Sequence, residues 1–414
     1  MSRLLILIIA PVLLISCNLS AQEESPFKKV QLTDKIYQLS TDEGEYSTNV
    51  LVFVGGDGLL LVDTNAEEYA EEFKEQIDSF GKGLPKYIIN THRHVEHIGG
   101  NAVFGPDPVV IGHDLIRKKL RSGRYLFDEY PEITMPDIGI TDSVYLYFSG
   151  ERVRLIPMGG SHDDNEIIIH FTESKVVHLS SLVNGLNFPS IDSDGDVMRF
   201  EELVSKAIEL LPDDVTIVSG HNNNCTRADL YDYVDMIRET TVIVRNGLAA
   251  GKTVEQLQEE KVLARFEKYA QSYVSPETWI KYLAYGIEGK VAKKKIFEPL
   301  YYAFKEGGAE SAIKKYHSLK SEHSDKYEFQ EVELVIIGMK LNKKEKHSDT
   351  VKILELCLDE YPEGDYLNYT HYIIGKSLKE LGQIKDAIAH CEKSLEVNPE
   401  FQGASQLLEE LKKM

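Results

Sequence analysis

Cysteine is scarce in this sequence. Its 414 residues hold four, Cys17, Cys225, Cys357 and Cys391, at long spacings. That excludes a disulfide framework and a zinc-ribbon pattern as the source of stability. Cys357 and Cys391 read either as core thiols or as a pair, and Cys225 as a buried inert thiol. Basic residues are outnumbered, 46 Lys and Arg against 67 Asp and Glu, and the formal net charge is −21. Nucleic acid is a disfavoured partner for such a chain, because phosphate binding rests on clustered cations. The same charge gives no electrostatic reason to bind an anionic membrane surface. Long apolar runs are missing too. The stretch from Leu4 to Ile15, interrupted by Pro11, is too short to span a bilayer as a mature helix.

That stretch has a different meaning. Arg3 followed by a brief apolar core predicts an export signal over residues 1–21. Leu14-Ile15-Ser16-Cys17 resembles a bacterial lipobox, which makes Cys17 the lipidated first residue of the mature chain. Ordinary cleavage after Ala21 is the alternative. Either route places the mature chain in the cell envelope, periplasmic or anchored to the membrane by lipid.

The chemistry concentrates in His92-Arg93-His94-Val95-Glu96-His97, which follows the apolar Tyr87-Ile88-Ile89. Three imidazoles and a carboxylate within six residues are hard to explain as packing. In an extended segment side chains at i and i+2 share a face, so His92 and His94 can meet one metal ion. A turn after Val95 then aims Glu96 and His97 at a second position. Imidazole nitrogen with carboxylate oxygen is a ligand set suited to zinc and its neighbours. His162 and His221 each stand beside glycine at a strand–loop junction, where a rigid sheet presents ligands well. Asp63 closes the apolar Gly58–Val62 stretch, placed to bond the far nitrogen of a metal-bound histidine.

His92, His94, Glu96, His97, His162, Ser181, His221 and Asp63, in this order and spacing, resemble the metallo-β-lactamase-fold hydrolase superfamily. So do the phrases Gly99-Gly100-Asn101-Ala102-Val103-Phe104 and Phe188-Pro189-Ser190-Ile191-Asp192. The resemblance covers about residues 28–290. It implies an α/β fold, a four-layer αββα sandwich with metals at one edge between two sheets. It also implies that His92, His94 and His162 bind a first zinc, and Glu96, His97 and His221 a second. Glu96 departs from the usual aspartate, and its extra methylene leaves the count at two zincs or one. Ser181 stands where many relatives have an aspartate or cysteine ligand, and reads as a pocket or supporting residue, as does Asp63. A zinc with three protein ligands keeps an open position for water and lowers its pKa towards about 7. The expected reaction is therefore hydrolysis of an ester, thioester, lactone or amide-type carbonyl in a small-molecule substrate, with Glu96 orienting the nucleophile. The alternatives are β-lactamase activity proper, or a non-catalytic envelope scaffold on a degenerate metal site.

Neighbouring polar residues take plainer readings. His113 is read as a loop or helix-start residue, and His170 and His178 as sheet residues. Asp163, Asp164 and Glu166 are read singly as solvated loop acids, with support of His162 as the alternative, and Asn184 and Asn187 as turn formers, with bonding to substrate as the alternative. From about Lys293 to Met414 the sequence reads as all-helical. Ile336-Ile337-Gly338 recurs as Ile373-Ile374-Gly375, and Tyr361-Pro362-Glu363 as Asn398-Pro399-Glu400, both 37 residues on. This resembles a tetratricopeptide repeat, whose period is about 34 residues. It offers a surface for a protein or peptide partner, and a helical bundle without a partner is the other reading.

Overall fold

The computed structural model describes residues 25–41, 47–121, 130–192, 194–272, 274–289 and 293–414. The export-signal expectation and Cys17 fall outside these residues. The first sheet opens on four antiparallel strands, β1 (Phe27–Gln31), β2 (Ile36–Thr41), β3 (Asn49–Gly55) and β4 (Gly58–Val62). Helix α1 (Ala70–Asp78) then carries the chain to β5 (Tyr87–Ile89). Beyond the short α2 (Val95–Ile98) come β6 (Val109–His113), α3 (Asp114–Arg121) and β7 (Ile138–Ile140). Strands β4 to β7 run parallel and complete a seven-stranded sheet in sequential order. The second sheet has the order β12-β11-β10-β9-β8, from β8 (Val144–Phe148), β9 (Glu151–Pro157), β10 (Ile167–Phe171), β11 (Val176–His178) and β12 (Thr216–Val218).

Strand periodicity sets the layers. In β3 successive side chains serve opposite faces. Leu51 and Phe53 enter the core between the sheets, while Val50 and Val52 meet Phe73 and Ile77 of α1. Both faces are buried, so the strand reads as one apolar run rather than an alternation. In the second sheet Val153, Leu155, Ile167 and Ile169 face inward. On its outer face Ile156, Ile168 and Val177 pack against α4 (Phe200–Leu210), α5 (Arg227–Ala249) and α7 (Pro276–Ile287), with the short α6 (Val254–Glu259) between the last two. This is the expected four-layer sandwich. Trp279 of α7 is fully buried, donates its indole N–H to Thr240 Oγ1 at 3.0 Å and stacks on Phe188. That contact anchors the segment leading to Asp192, which borders the site.

The C-terminal part is all-α, as expected: α8 (Phe297–Glu322), α9 (Glu331–Lys343), α10 (His347–Glu360), α11 (Leu367–Glu380), α12 (Ile384–Val397) and α13 (Gln402–Leu411). The first of these is interrupted at Gly307 and Gly308. These helices enclose a core of their own that shares no buried residue with the sandwich cores. Cys357 and Cys391 are buried free thiols within it, which corrects the pair alternative. Among the described residues no helix is long and apolar enough to cross a membrane.

The 37-residue offset has a physical counterpart. A methyl group at Gly338 would meet Leu354, and one at Gly375 would meet Cys391, so each α-hairpin closes over its glycine at the same step. The turns correspond as well, with Glu345 at φ 57° and Gly382 at φ 73°. Gly338→Ala is expected to destabilise the chain by about 1–3 kcal/mol, because the added carbon must displace a packed leucine. Urea unfolding checks this, and an unchanged midpoint would refute the close approach.

Candidate metal centre

The strand ends of the two sheets meet at one edge of the sandwich, and the histidine string lies there. After β5 the chain bends through Thr91, His92 and Arg93, is extended at His94 (φ −65°, ψ 146°) and turns into α2 at Val95. The expected extended run is thus bent, yet the His92 and His94 rings still meet, with centroids 4.5 Å apart. The turn swings Glu96 and His97 to the other side, as the sequence pattern suggests. The loop after β9 brings His162, and the loop after β12 brings His221. The result is two groups, His92 with His94 and His162, and Glu96 with His97 and His221. In each, one ligand-capable atom per residue lies within 4.8 Å of the others.

The far nitrogens of the rings show which nitrogens are bare. His97 Nδ1 lies 2.7 Å from Asp63 Oδ2, and a carboxylate only accepts, so Nδ1 carries the proton. His221 Nδ1 faces the Ser47 carbonyl at 3.2 Å, and His162 Nδ1 the Ser190 carbonyl at 2.9 Å. His94 Nε2 sits 3.0 Å from Asp192 Oδ2. His92 Nδ1 is 3.1 Å from the Thr91 hydroxyl, which itself donates to Asp63 Oδ2 at 2.8 Å. Each ring therefore turns a bare lone pair inward. His97 Nε2 and His221 Nε2 face each other at 3.1 Å, and His94 Nδ1 and His162 Nε2 at 3.3 Å. His92 Nε2 is buried without a hydrogen-bond partner. Opposed lone pairs repel, and a buried orphan nitrogen is costly. A cation in each group relieves both penalties, so the donor set fits two divalent metal ions.

Electrostatics agree with this. Burial, and then the neighbouring imidazoles, depress the pKa of His92 and His221 well below the ordinary value, and that of His162 to about 4. The His92, His162 and His221 rings are therefore neutral at pH 7, the form that binds metal. Burial raises the Glu96 carboxyl, but whenever the adjacent rings carry protons a hydrogen bond from His94 and the charges of His94, His97 and His221 outweigh that and hold it below the usual range. It is a permanent anion at the partly exposed mouth. Ser181 Oγ lies 3.1 Å from His221 Nε2, beside the second group.

Two of the three acids read as solvated are buried, which corrects that reading for them. Asp163 and Glu166 are 0 % exposed. Asp163 meets the Arg93 guanidinium at 2.9 Å and the Lys119 ammonium at 3.3 Å. Arg93 also reaches Asp192 at 2.6 Å, and Lys119 reaches Asp194 at 2.8 Å and contacts Asp164. These cations make a carboxylate cluster tolerable beside the site. Burial, and then the charge of Asp163, push Glu166 up to about 8. Asn184 donates to Ser190 Oγ, and Asn187 donates to the Asn184 carbonyl while its Oδ1 accepts from the Gln271 backbone N–H. His113 ends β6 directly before α3. His178 bonds the Asn49 carbonyl, and Cys225 is buried with its thiol pushed up to about 12. Sequence reasoning missed Thr91, Lys119, Ser190 and the role of Arg93. The phrase ending in Asp192 was the one available signal, since it already stood out as family-like.

Two facing sheets between helices, with five converging imidazoles at one edge, define a metallohydrolase type of site. Residues 44–221 match the family model "Metallo-beta-lactamase superfamily". That match covers less than half of the chain and lies within the two-sheet domain that carries the histidines. Among solved structures, a metallo-beta-lactamase from Pontibacter korlensis is similar at 18% identity and TM-score 0.45, over 51% of this chain and 99% of its own. A double mutant of the sec-alkyl sulfatase PisA1 is similar at 15% identity and TM-score 0.51, over 92% of this chain and 66% of its own. The second likeness concerns the fold, and it extends past the sandwich into the helices.

Proposed function

We propose that this chain is an extracytoplasmic hydrolase that holds two zinc ions and cleaves an ester, thioester, lactone or amide-type carbonyl. The observation that carries it is the convergence of five bare imidazole nitrogens in two groups, His92 Nε2 being a buried orphan. His92, His94 and His162 hold the first ion, and Glu96, His97 and His221 the second. A bound divalent ion supplies Lewis acidity, acidifying water and polarising the scissile carbonyl. The chain's residues supply the positions. Asp63 and Thr91 fix the rings of His97 and His92. Glu96, ionised at the mouth, accepts a hydrogen bond from the attacking water and orients it, and its low basicity makes it a ligand and guide more than a strong base. A cavity of about 690 Å³ borders the loop of Asn222 on its outer side, lined by Gln38, Asn187, Asn224 and Gln271 among others. Its amide groups suit the polar part of a substrate.

One observation favours a second reaction, sulfate-ester hydrolysis: the neighbour whose likeness runs through both sandwich and helices is named an alkyl sulfatase. The helical region, with its repeated glycine contacts, is read as tetratricopeptide-like and as a surface for a protein or peptide.

The test is metal per chain by elemental mass spectrometry, in the native protein and in Glu96→Asp, with a panel of esters, thioesters, lactones, β-lactams and alkyl sulfates. Two zincs per native chain with turnover are expected. One zinc that rises to two in Glu96→Asp assigns a mononuclear enzyme set by the extra methylene. No metal in either protein leaves the scaffold reading in place of the enzyme.

A further inference from the structure

The two groups of ligands are held by different parts of the chain. Asp63 serves His97 directly and His92 through Thr91. His94 and His162 are instead held by one short segment that follows Phe188. The Ser190 carbonyl takes His162 Nδ1–H, and two residues on, Asp192 Oδ2 takes His94 Nε2–H. The segment is itself pinned. The Asp192 backbone N–H donates to the His162 carbonyl at 2.9 Å, and the Phe188 N–H to the Tyr269 carbonyl at 2.7 Å. Behind Asp192 stands Arg93, the residue between the first two histidines of the string. Its buried Nη2 meets the same Oδ2 at 2.6 Å.

We propose that Asp192, held by Arg93, is the positioning residue of the first metal site. It keeps His94 in the Nε2–H tautomer, so that Nδ1 is presented to the ion. Arg93 thus acts within the histidine string on the partner of a ligand, not on the substrate. Asp163 Oδ2 stands farther off, 3.5 Å from the same Nε2, and Glu96 Oε1 lies 3.7 Å from Nδ1. Without Asp192 the ring keeps only the longer acceptor on Nε2 and is freer to flip or to protonate on Nδ1, which removes one of three donors. The second site, served by Asp63 and Ser47, has no such dependence. This inference rests on the reading of the two groups as metal sites.

The experiment uses cobalt(II) as the probe, titrated into the chelator-treated full-length protein and followed by visible absorption and by competition with a chelator. Wild type is expected to take two equivalents. Asp192→Ala is expected to lose about 10- to 100-fold in affinity for one equivalent and to keep the other. Asp192→Asn retains an acceptor oxygen and is expected to recover most of that loss. Two equivalents bound by Asp192→Ala at wild-type affinity would overturn the inference and leave the hydrolase reading standing. No cobalt bound by wild type would sink both. A measurement that needs no folded variant is the His94 tautomer in metal-free wild type, by long-range nitrogen-15 NMR. Protonated Nε2 is expected, and protonated Nδ1 refutes the proposal.

Discussion

Asp63→Ala is expected to lower stability by about 3–5 kcal/mol and to release metal from the protein. The carboxylate is 0 % exposed and takes three donors: the Thr91 backbone N–H at 2.8 Å, the Thr91 hydroxyl at 2.8 Å and His97 Nδ1 at 2.7 Å. Removing it leaves three buried donors unpaired, each costing roughly 1–3 kcal/mol. These costs share one network and do not add fully. Asp63 also sits at φ 66°, a left-handed conformation that asparagine tolerates far better than alanine. Asp63→Asn therefore removes the strain from the comparison. It keeps one acceptor oxygen but turns an NH₂ towards donors, and is expected to cost about 1–3 kcal/mol. Because one carboxylate reaches His97 directly and His92 through Thr91, both metal positions are expected to weaken together, unlike in Asp192→Ala. Urea unfolding and cobalt titration of the two variants check this. A metal affinity unchanged in Asp63→Asn would mean that the ring orientations have another source.

The difference between Asp63 and Asp192 shows what a sequence reveals. Asp63 was legible because it ends an apolar strand, and strand ends in such sheets face the site. The pairing of His92 with His94, and of Glu96 with His97, was legible from the spacing within the string, while the places of His162 and His221 in the two groups came only with the family resemblance. The αββα layering was legible only through the resemblance that the histidine string carries, and the helical part through a 37-residue recurrence. The burial of Asp163 and Glu166 was not legible. Consecutive acids in a loop look solvated unless their cations are known, and those cations are distant in the chain. Lys119 lies 44 residues from Asp163, and Arg93 lies 99 residues from Asp192. Nothing local in the string distinguishes Arg93 from an exposed arginine. Its neighbours, brought by two other loops, decide that it is an internal counter-ion.

Glu166 shows a consequence of that buried charge. Its carboxyl is fully buried, accepts from Ser180 Oγ at 3.4 Å through Oε1, and has no partner on Oε2. Ser180 in turn stands 3.5 Å from His92 Nδ1, so the acid lies directly behind a ligand of the first site. Burial, and then the charge of Asp163, raise its pKa from 4.5 to about 8. The native state therefore holds this proton more tightly than the unfolded chain does. The resulting stabilisation is complete below pH 4.5, declines as the pH rises, and is lost through about pH 8. Glu166→Gln cannot titrate. Relative to wild type, the chelator-treated variant is expected to gain on the order of 3 kcal/mol between pH 5 and pH 8, whatever the offset at pH 5. The histidines titrate in both proteins and cancel in the difference. Parallel stability profiles would mean that Glu166 is ionised throughout and that a cation neutralises it, which would place another positive charge behind His92.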